Sequence, residues 1–257
     1  MHSRRTSPLF VAVLMTVVCD ADAQQWQDLY VPVKGAEIPC RVMKPEMSSK
    51  TCKYPVILSL HGAGGRGDNN KAQLKVWNRQ LTAPEIRRRF PCYVVAPQVT
   101  ELWNRTHYDQ IKTVIGTLPQ ADLNRIYIMG HSMGGHGTFI FLHFESDYFA
   151  AAVPSAGTGL RSTEPFISVE KIKHYPIWAF HGDQDGVCPF SKMQTVFEQQ
   201  KQVHGNFKLT VWKGDNHGVS AKFIPGSANG RTFYANEQSS RETDLLTWLF
   251  AQSRSQD

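Results

Sequence analysis

The segment Arg125-Ile-Tyr-Ile-Met-Gly-His-Ser-Met-Gly-Gly-His-Gly-Thr-Phe139 passes from a strand pattern to a helical one through a single glycine-flanked serine. Arg125–Met129 is a β-forming run of strand length, and Gly135–Phe144 continues at helical length. Between them Gly130-His131-Ser132-Met133-Gly134 fits G-x-S-x-G. So sharp a turn requires a strained serine backbone, a hydroxyl held clear of the chain, and small neighbours where strand and helix backbones nearly collide. A bare G-x-S-x-G is also met by any Gly/Ser turn. The strand before it and the helix after it make Ser132 the candidate nucleophile. The helix start would also aim its partly positive end at an oxyanion formed beside that serine.

Upstream, Pro55-Val-Ile-Leu-Ser-Leu60 is a continuous apolar run that predicts a strand buried on both faces. His61-Gly62-Ala63-Gly64-Gly65 follows it, and a glycine-rich loop there leaves backbone N–H groups free to face developing negative charge. The expected donors are Met133, which follows the serine, and Ala63 or Gly64. No G-x-x-x-x-G-K-[ST] phosphate loop follows.

Two extended segments, near Leu29–Val33 and Ile38–Met43, come first in the chain. Strands are expected over Cys92–Ala96, Phe149–Val153, Pro176–Phe180 and Phe207–Trp212, and helices over Glu85–Phe90, Ser191–Val203 and Arg241–Ala251. Ile111, Val114, Ile115 and Leu118 recur at helical spacing. Such alternation predicts an α/β fold with a mainly parallel central sheet, helices on both faces and no large lid. Ligands of these sheets bind at the carboxyl ends of the strands.

Two candidates complete a proton relay there. His181-Gly182-Asp183-Gln184-Asp185 lies just past an expected strand, and Asp185 is chosen over Asp183, which reads as a turn residue. Of the ten histidines, His217, in Lys213-Gly214-Asp215-Asn216-His217-Gly218 past the last expected strand, sits where a free loop can swing an imidazole to Ser132. His61 and His181 end strands and read as loop braces, while His174 and His204 precede strands. The order Ser132, Asp185, His217 is that of one of three unrelated triad designs. Trp103, His131 and Phe223 are the candidate substrate contacts, with plain packing the competing role for Trp103.

At these residues the chain resembles the α/β-hydrolase superfamily, over about Ile38 to Ala251. The stretches LSLHGAGGRGDN, RIYIMGHSMGGHGTF, FHGDQDGVCP and WKGDNHG are similar to secreted esterases of the polyhydroxybutyrate-depolymerase-like, feruloyl esterase and "predicted peptidase" group. The resemblance implies ester hydrolysis with Ser132 as nucleophile, Asp185 as acid and His217 as base, without metal or cofactor. Residues Val219–Ser240, including Phe223, Phe233 and Tyr234, depart from the group as an insertion expected to border the site. A serine peptidase and a non-catalytic binding module on the same fold are the alternatives.

Composition bounds the rest. The 257 residues carry 41% hydrophobic and 19% charged side chains, a globular mixture, with a net charge of +6. The basic residues are scattered and Arg87-Arg88-Arg89 is the densest cluster, so no nucleic-acid partner is expected. Arg4 and Arg5, the apolar run Leu9–Val18 and Ala21-Asp22-Ala23 read as a secretory signal over residues 1–23. That run is too short to span a bilayer, so the expected product is a secreted or periplasmic single domain, 24–257, with no membrane anchor. Cys40, Cys52, Cys92 and Cys188 remain in it, and export permits disulfides among them. Cys40–Cys52 and Cys52–Cys92 are both geometrically possible pairs between which sequence does not choose, with four buried thiols as the alternative.

Overall fold

All seven residues of the strand Tyr54–Leu60 are buried, as an apolar run without alternation requires when both sheet faces are covered. The computed structural model describes residues 26–46, 51–145, 147–158 and 167–254, and the expected export signal lies outside them. Among the described residues one sheet holds β1 (Tyr30–Pro32), β2 (Cys40–Met43), β3 (Tyr54–Leu60), β4 (Tyr93–Pro97), β5 (Ala121–His131), β6 (Ala151–Ser155), β7 (Ile177–Gly182), β8 (Phe207–Trp212) and β9 (Gly230–Tyr234). Their spatial order is β1-β2-β4-β3-β5-β6-β7-β8-β9. The six strands from β4 to β8 in that order run parallel, while β1, β2 and β9 are antiparallel to their neighbours.

The helices are α1 (Val76–Leu81), α2 (Pro84–Arg89), α3 (Arg105–Gly116), α4 (Met133–Phe144), α5 (Val169–Ile172), α6 (Phe190–Gln202) and α7 (Leu245–Phe250). They cover both faces, because successive strand residues point to opposite sides. Val56, Leu58, Ile126 and Ile128 join one core with α3, α4 and α6. Ile57, Tyr127 and Met129 join the other, with Trp77, Leu81 and the apolar residues of α7. Each fully buried aliphatic side chain of β3 stabilises the fold by about 1.5–3 kcal/mol relative to exposure. The chain is thus an α/β-hydrolase fold. Between β6 and β7 the described residues form only the short α5, and no large lid stands over the carboxyl ends of the strands.

Several boundaries differ from those expected. The strand expected at Phe149–Val153 forms at Ala151–Ser155. The last helix begins at Leu245, not Arg241, because the Asp244 side chain caps it by accepting the Thr247 N–H at 2.7 Å. The residues before that cap are held by Lys208, a lysine only 1% exposed. Its Nζ lies 3.4 Å from the Trp178 ring centroid and donates to the carbonyls of Ser240 and Glu242. The insertion Val219–Ser240 supplies β9, which pairs with β8 and extends the sheet. Phe233 and Tyr234 sit opposite Leu209 and Lys208, early in β8, and so lie away from the strand ends that they were expected to border.

Among the described residues the cysteines form no disulfide: Cys40, Cys52, Cys92 and Cys188 are all free, and of these only Cys52 is exposed. Cys40 belongs to one core and Cys92 to the other, across the sheet from it. Burial pushes both thiols up to about 12, so they behave as small apolar side chains.

Candidate active site

Ser132 stands at the turn from β5 to α4 with φ 58° and ψ −121°, a backbone that costs a non-glycine residue on the order of 1–3 kcal/mol. Two backbone bonds hold it there: its N–H donates to the Ser155 carbonyl at 2.8 Å, and its carbonyl accepts the His136 N–H at 2.9 Å. The flanking glycines have no alternative. A Cβ on Gly130 would lie 2.4 Å from the Gly134 carbonyl oxygen, and one on Gly134 would lie 2.0 Å from that of Leu60. The near-collision anticipated for G-x-S-x-G is therefore present on both sides of the serine.

The loop after β3 closes against this turn. Ala63–Gly65 forms a single 3-10 turn, and a Cβ on Gly62 would come within 3.3 Å of Ser132 Cβ. Ala63 and Gly64 are exposed beside the serine. Met133 is the first residue of α4, where a backbone N–H has no partner within the helix. The loop that carries Ala63 and Gly64 thus lies against the turn that carries Ser132 and Met133.

Side chains brace the loop from beneath. His61 is fully buried; its Nδ1 donates to the Gly62 carbonyl at 2.8 Å and its Nε2 accepts the Val99 N–H at 3.1 Å. Those two bonds define a neutral ring, and burial pushes its pKa down to about 4. Gln98 Nε2 donates to the Gly65 carbonyl at 3.0 Å and to Asn69 Oδ1 at 3.1 Å. Lys75 Nζ donates to the Gly64 carbonyl at 2.8 Å.

Asp185 and His217 reach the serine from the loops after β7 and β8. His217 Nε2 lies 2.8 Å from Ser132 Oγ, and His217 Nδ1 lies 2.8 Å from Asp185 Oδ2. The other carboxylate oxygen accepts the N–H groups of Val187 at 2.9 Å and Cys188 at 2.8 Å. His181 Nε2 is 3.2 Å from Asp185 Oδ2 and 2.8 Å from the Cys188 carbonyl. Burial alone would raise the Asp185 pKa, but the bonds from His181, His217, Cys188 and Val187 outweigh it and hold the carboxyl well below its usual range.

The loop bearing His217 is pinned, not free. Asp183 Oδ1 accepts the Gly214 N–H at 2.7 Å, the Gln184 N–H donates to the Asp215 carbonyl at 2.9 Å, and Lys222 pairs with the Asp215 carboxylate. Asp183 therefore has its own task, holding the loop that carries the imidazole.

The structure brings Ser132, Asp185 and His217 together, with Met133 next to the serine and the Ala63–Gly65 loop packed against the same turn through Gly62. Two expected substrate contacts are corrected. Trp103 is 2% exposed, its Nε1 donates to the His61 carbonyl at 3.2 Å, and its ring is wedged against Gly137, so it is a core residue. Phe223 is 1% exposed and packs with its ring centroid 5.6 Å from Trp77 and 6.1 Å from Phe180. His131 does border the site, with its ring centroid 4.9 Å from that of His217. Residues not singled out from sequence include Gln98, whose signal was only a polar residue at a strand end, and Ser155. Nothing local marks Ser155; its place follows from β6 lying beside β5.

The model for a family described as the dienelactone hydrolase family matches residues 46–248. A thermostable esterase of known structure is 27% identical, with a TM-score of 0.70 over 89% of this chain; the chain spans 64% of that esterase, less than two thirds of its length. Est1E from Butyrivibrio proteoclasticus, 17% identical, superposes with a TM-score of 0.54 over 73% of this chain and 89% of its own. The Pyrococcus horikoshii acylaminoacyl peptidase, 19% identical, does so with a TM-score of 0.55 over 74% of this chain and 37% of its own. At those identities the last two share the fold alone. No curated protein sequence matches the chain.

Proposed function

The chain belongs to the dienelactone hydrolase family, within the α/β-hydrolases, and on that premise we propose that it is an exported serine hydrolase that cleaves carboxylic esters. The observation that carries the proposal is the continuous relay from Ser132 Oγ through His217 to Asp185, each step 2.8 Å long. His217 Nε2 takes the Ser132 proton as Oγ attacks the ester carbonyl. Asp185 fixes Nδ1–H toward itself, so that Nε2 is the basic nitrogen, and stabilises the imidazolium that forms.

The tetrahedral oxyanion sits between the N–H of Met133 and that of Ala63 or Gly64. One such donor contributes about 3–4 kcal/mol to transition-state stabilisation in comparable sites. Collapse of the intermediate expels the alcohol, protonated by His217, and leaves an acyl group on Ser132. Water then repeats the sequence, with His217 as base, to release the acid and restore the serine.

Substrates are bulky or polymer-linked esters, such as feruloyl or acetyl groups on polysaccharides, or polyesters. Two observations support this reading. Among the described residues no large lid covers the strand ends, and the aromatic residues Trp103 and Phe223 are spent in the core and do not enclose a small acyl chain. The net charge of +6 favours approach to acidic polymers.

The test is a parallel assay of purified protein on 4-nitrophenyl acetate, feruloylated and acetylated xylan, and peptide 4-nitroanilides, with Ser132→Ala beside it. Ester turnover that Ser132→Ala loses, with a preference for the polymer-linked esters, is expected. Anilide cleavage without ester cleavage would favour a peptidase. Unchanged hydrolysis in Ser132→Ala would remove Ser132 from the reaction.

A further inference from the structure

His131 was expected to touch substrate, yet its ring is turned toward His217. The two ring centroids are 4.9 Å apart with the planes inclined by 42°. His131 is only 9% exposed, and its Nδ1 lies 3.1 Å from Ser155 Oγ. Ser155 is fully buried and sits directly opposite His131 in the pairing of β5 with β6. Its carbonyl is the same one that holds the Ser132 N–H. The Trp77 ring, with its centroid 6.3 Å away, closes the far side.

We propose that His131 is a positioning residue: clamped by Ser155, it holds the ring of His217 in line between Ser132 and Asp185. The inference rests on the acyl-transfer reading above and deepens it. Asp185 and Ser132 each anchor one nitrogen of His217, but both anchors lie in the plane of its ring. They leave rotation of the ring out of the relay opposed only by what packs on its face, and His131 is a ring on that face. A misplacement of about 1 Å in such a constellation costs about 10²-fold in rate.

The chemistry of His131 suits the task. A neutral tautomer lets the Ser155 hydroxyl donate to Nδ1. A charged His131 would repel the imidazolium that His217 becomes during turnover. Burial opposes its protonation most strongly, His217 and His181 add to that, and together they outweigh Asp185, pushing its pKa down to about 3. The ring therefore stays neutral while the relay operates.

The experiment compares steady-state kinetics of the full protein on 4-nitrophenyl acetate for wild type, His131→Leu, His131→Gln, Ser155→Ala and Ser132→Ala, with thermal melts to verify folding. His131→Leu keeps the bulk and loses the bond to Ser155; kcat should fall roughly 10- to 100-fold with KM nearly unchanged. His131→Gln restores a polar side chain that can bond Ser155 Oγ and should recover much of that loss. Ser155→Ala, which leaves His131 in place without its clamp, should lower kcat in the same direction, and it decides the matter if His131→Leu does not fold. A rise in KM at constant kcat would make His131 a substrate contact and overturn the proposal. Equal losses in His131→Leu and His131→Gln, or wild-type kcat in Ser155→Ala, would also overturn it. If Ser132→Ala is itself unimpaired, the acyl-transfer reading falls instead.

Discussion

Ser132 Oγ and His217 Nε2 stand 2.8 Å apart although 85 residues separate them in the chain. Neither residue is placed by its neighbours in sequence alone. The serine is held by glycines too small to keep β5 and α4 apart, and the histidine by a loop tied to Asp183. Their meeting is thus the product of the parallel sheet, which brings the ends of β5, β7 and β8 to one edge.

The carboxylate behind His217 is the first point to test. Asp185→Asn preserves shape but offers Nδ1 an N–H in place of an acceptor, favouring the wrong imidazole tautomer. Turnover of a soluble nitrophenyl ester should fall by about 10⁴-fold in kcat, with a smaller change in KM. A loss of less than tenfold would mean that Asp185 does not orient the base.

The crowding at Gly134 gives a stability prediction. A methyl group there would stand 2.0 Å from the Leu60 carbonyl oxygen, and backbone, not a flexible side chain, would have to move. Gly134→Ala should destabilise the protein by about 3 kcal/mol, the upper part of the range for overpacking. A urea midpoint equal to that of wild type would refute the contact.

Three buried histidines set the acid limit of the fold. Burial lowers the pKa of His61 and His136 to about 4 and that of His131 to about 3, against an ordinary value of 6.5. Below pH 6.5 the unfolded chain therefore binds protons that the folded one refuses, and stability falls as pH falls. Each ring contributes a loss of roughly 3 kcal/mol by pH 4. The depressed Asp185 carboxyl acts in the same direction at lower pH. Melting temperature should hold between pH 7 and 8 and drop steeply from pH 6 to 4. A melting temperature independent of pH down to 4 would contradict the burial of these rings.

The free thiols are also open to direct measurement. Of Cys40, Cys52, Cys92 and Cys188, only Cys52 should react with a thiol reagent in the native protein, and the other three should react on unfolding. Reducing agent should leave the melting temperature unchanged. A melting temperature lowered by reductant would point to a disulfide.

Sequence made the sheet and the chemistry legible for a common reason: both are written in local patterns. The run Pro55–Leu60 could only be a strand covered on both faces, and Gly130–Gly134 between strand and helix required a serine under strain. Asp185 and His217 could be chosen because each follows an expected strand at its carboxyl end. What escaped depends on partners distant in sequence. β9 lacks a burial pattern of its own and forms by pairing with β8. The short α1 exists because Trp77 and Leu81 find a core, with Trp77 Nε1 donating to Ser59 Oγ at 2.8 Å. Trp103 and Phe223 were assigned to the site because exposed and buried aromatics look alike in sequence. The disulfide pairs left open in sequence do not form because Cys40 and Cys92 are buried in separate cores while Cys52 stays exposed, which spacing does not show.

The central claim, that Ser132 is an activated nucleophile, is tested most directly by covalent labelling. Native protein treated with a fluorophosphonate at neutral pH should gain the mass of one phosphonyl adduct, which peptide mapping should place on Ser132. Ser132→Ala should take up none, and denatured wild type should react no faster than a free serine. A native protein that remains unmodified, or that carries its adduct on another residue while Ser132 is untouched, would contradict the account.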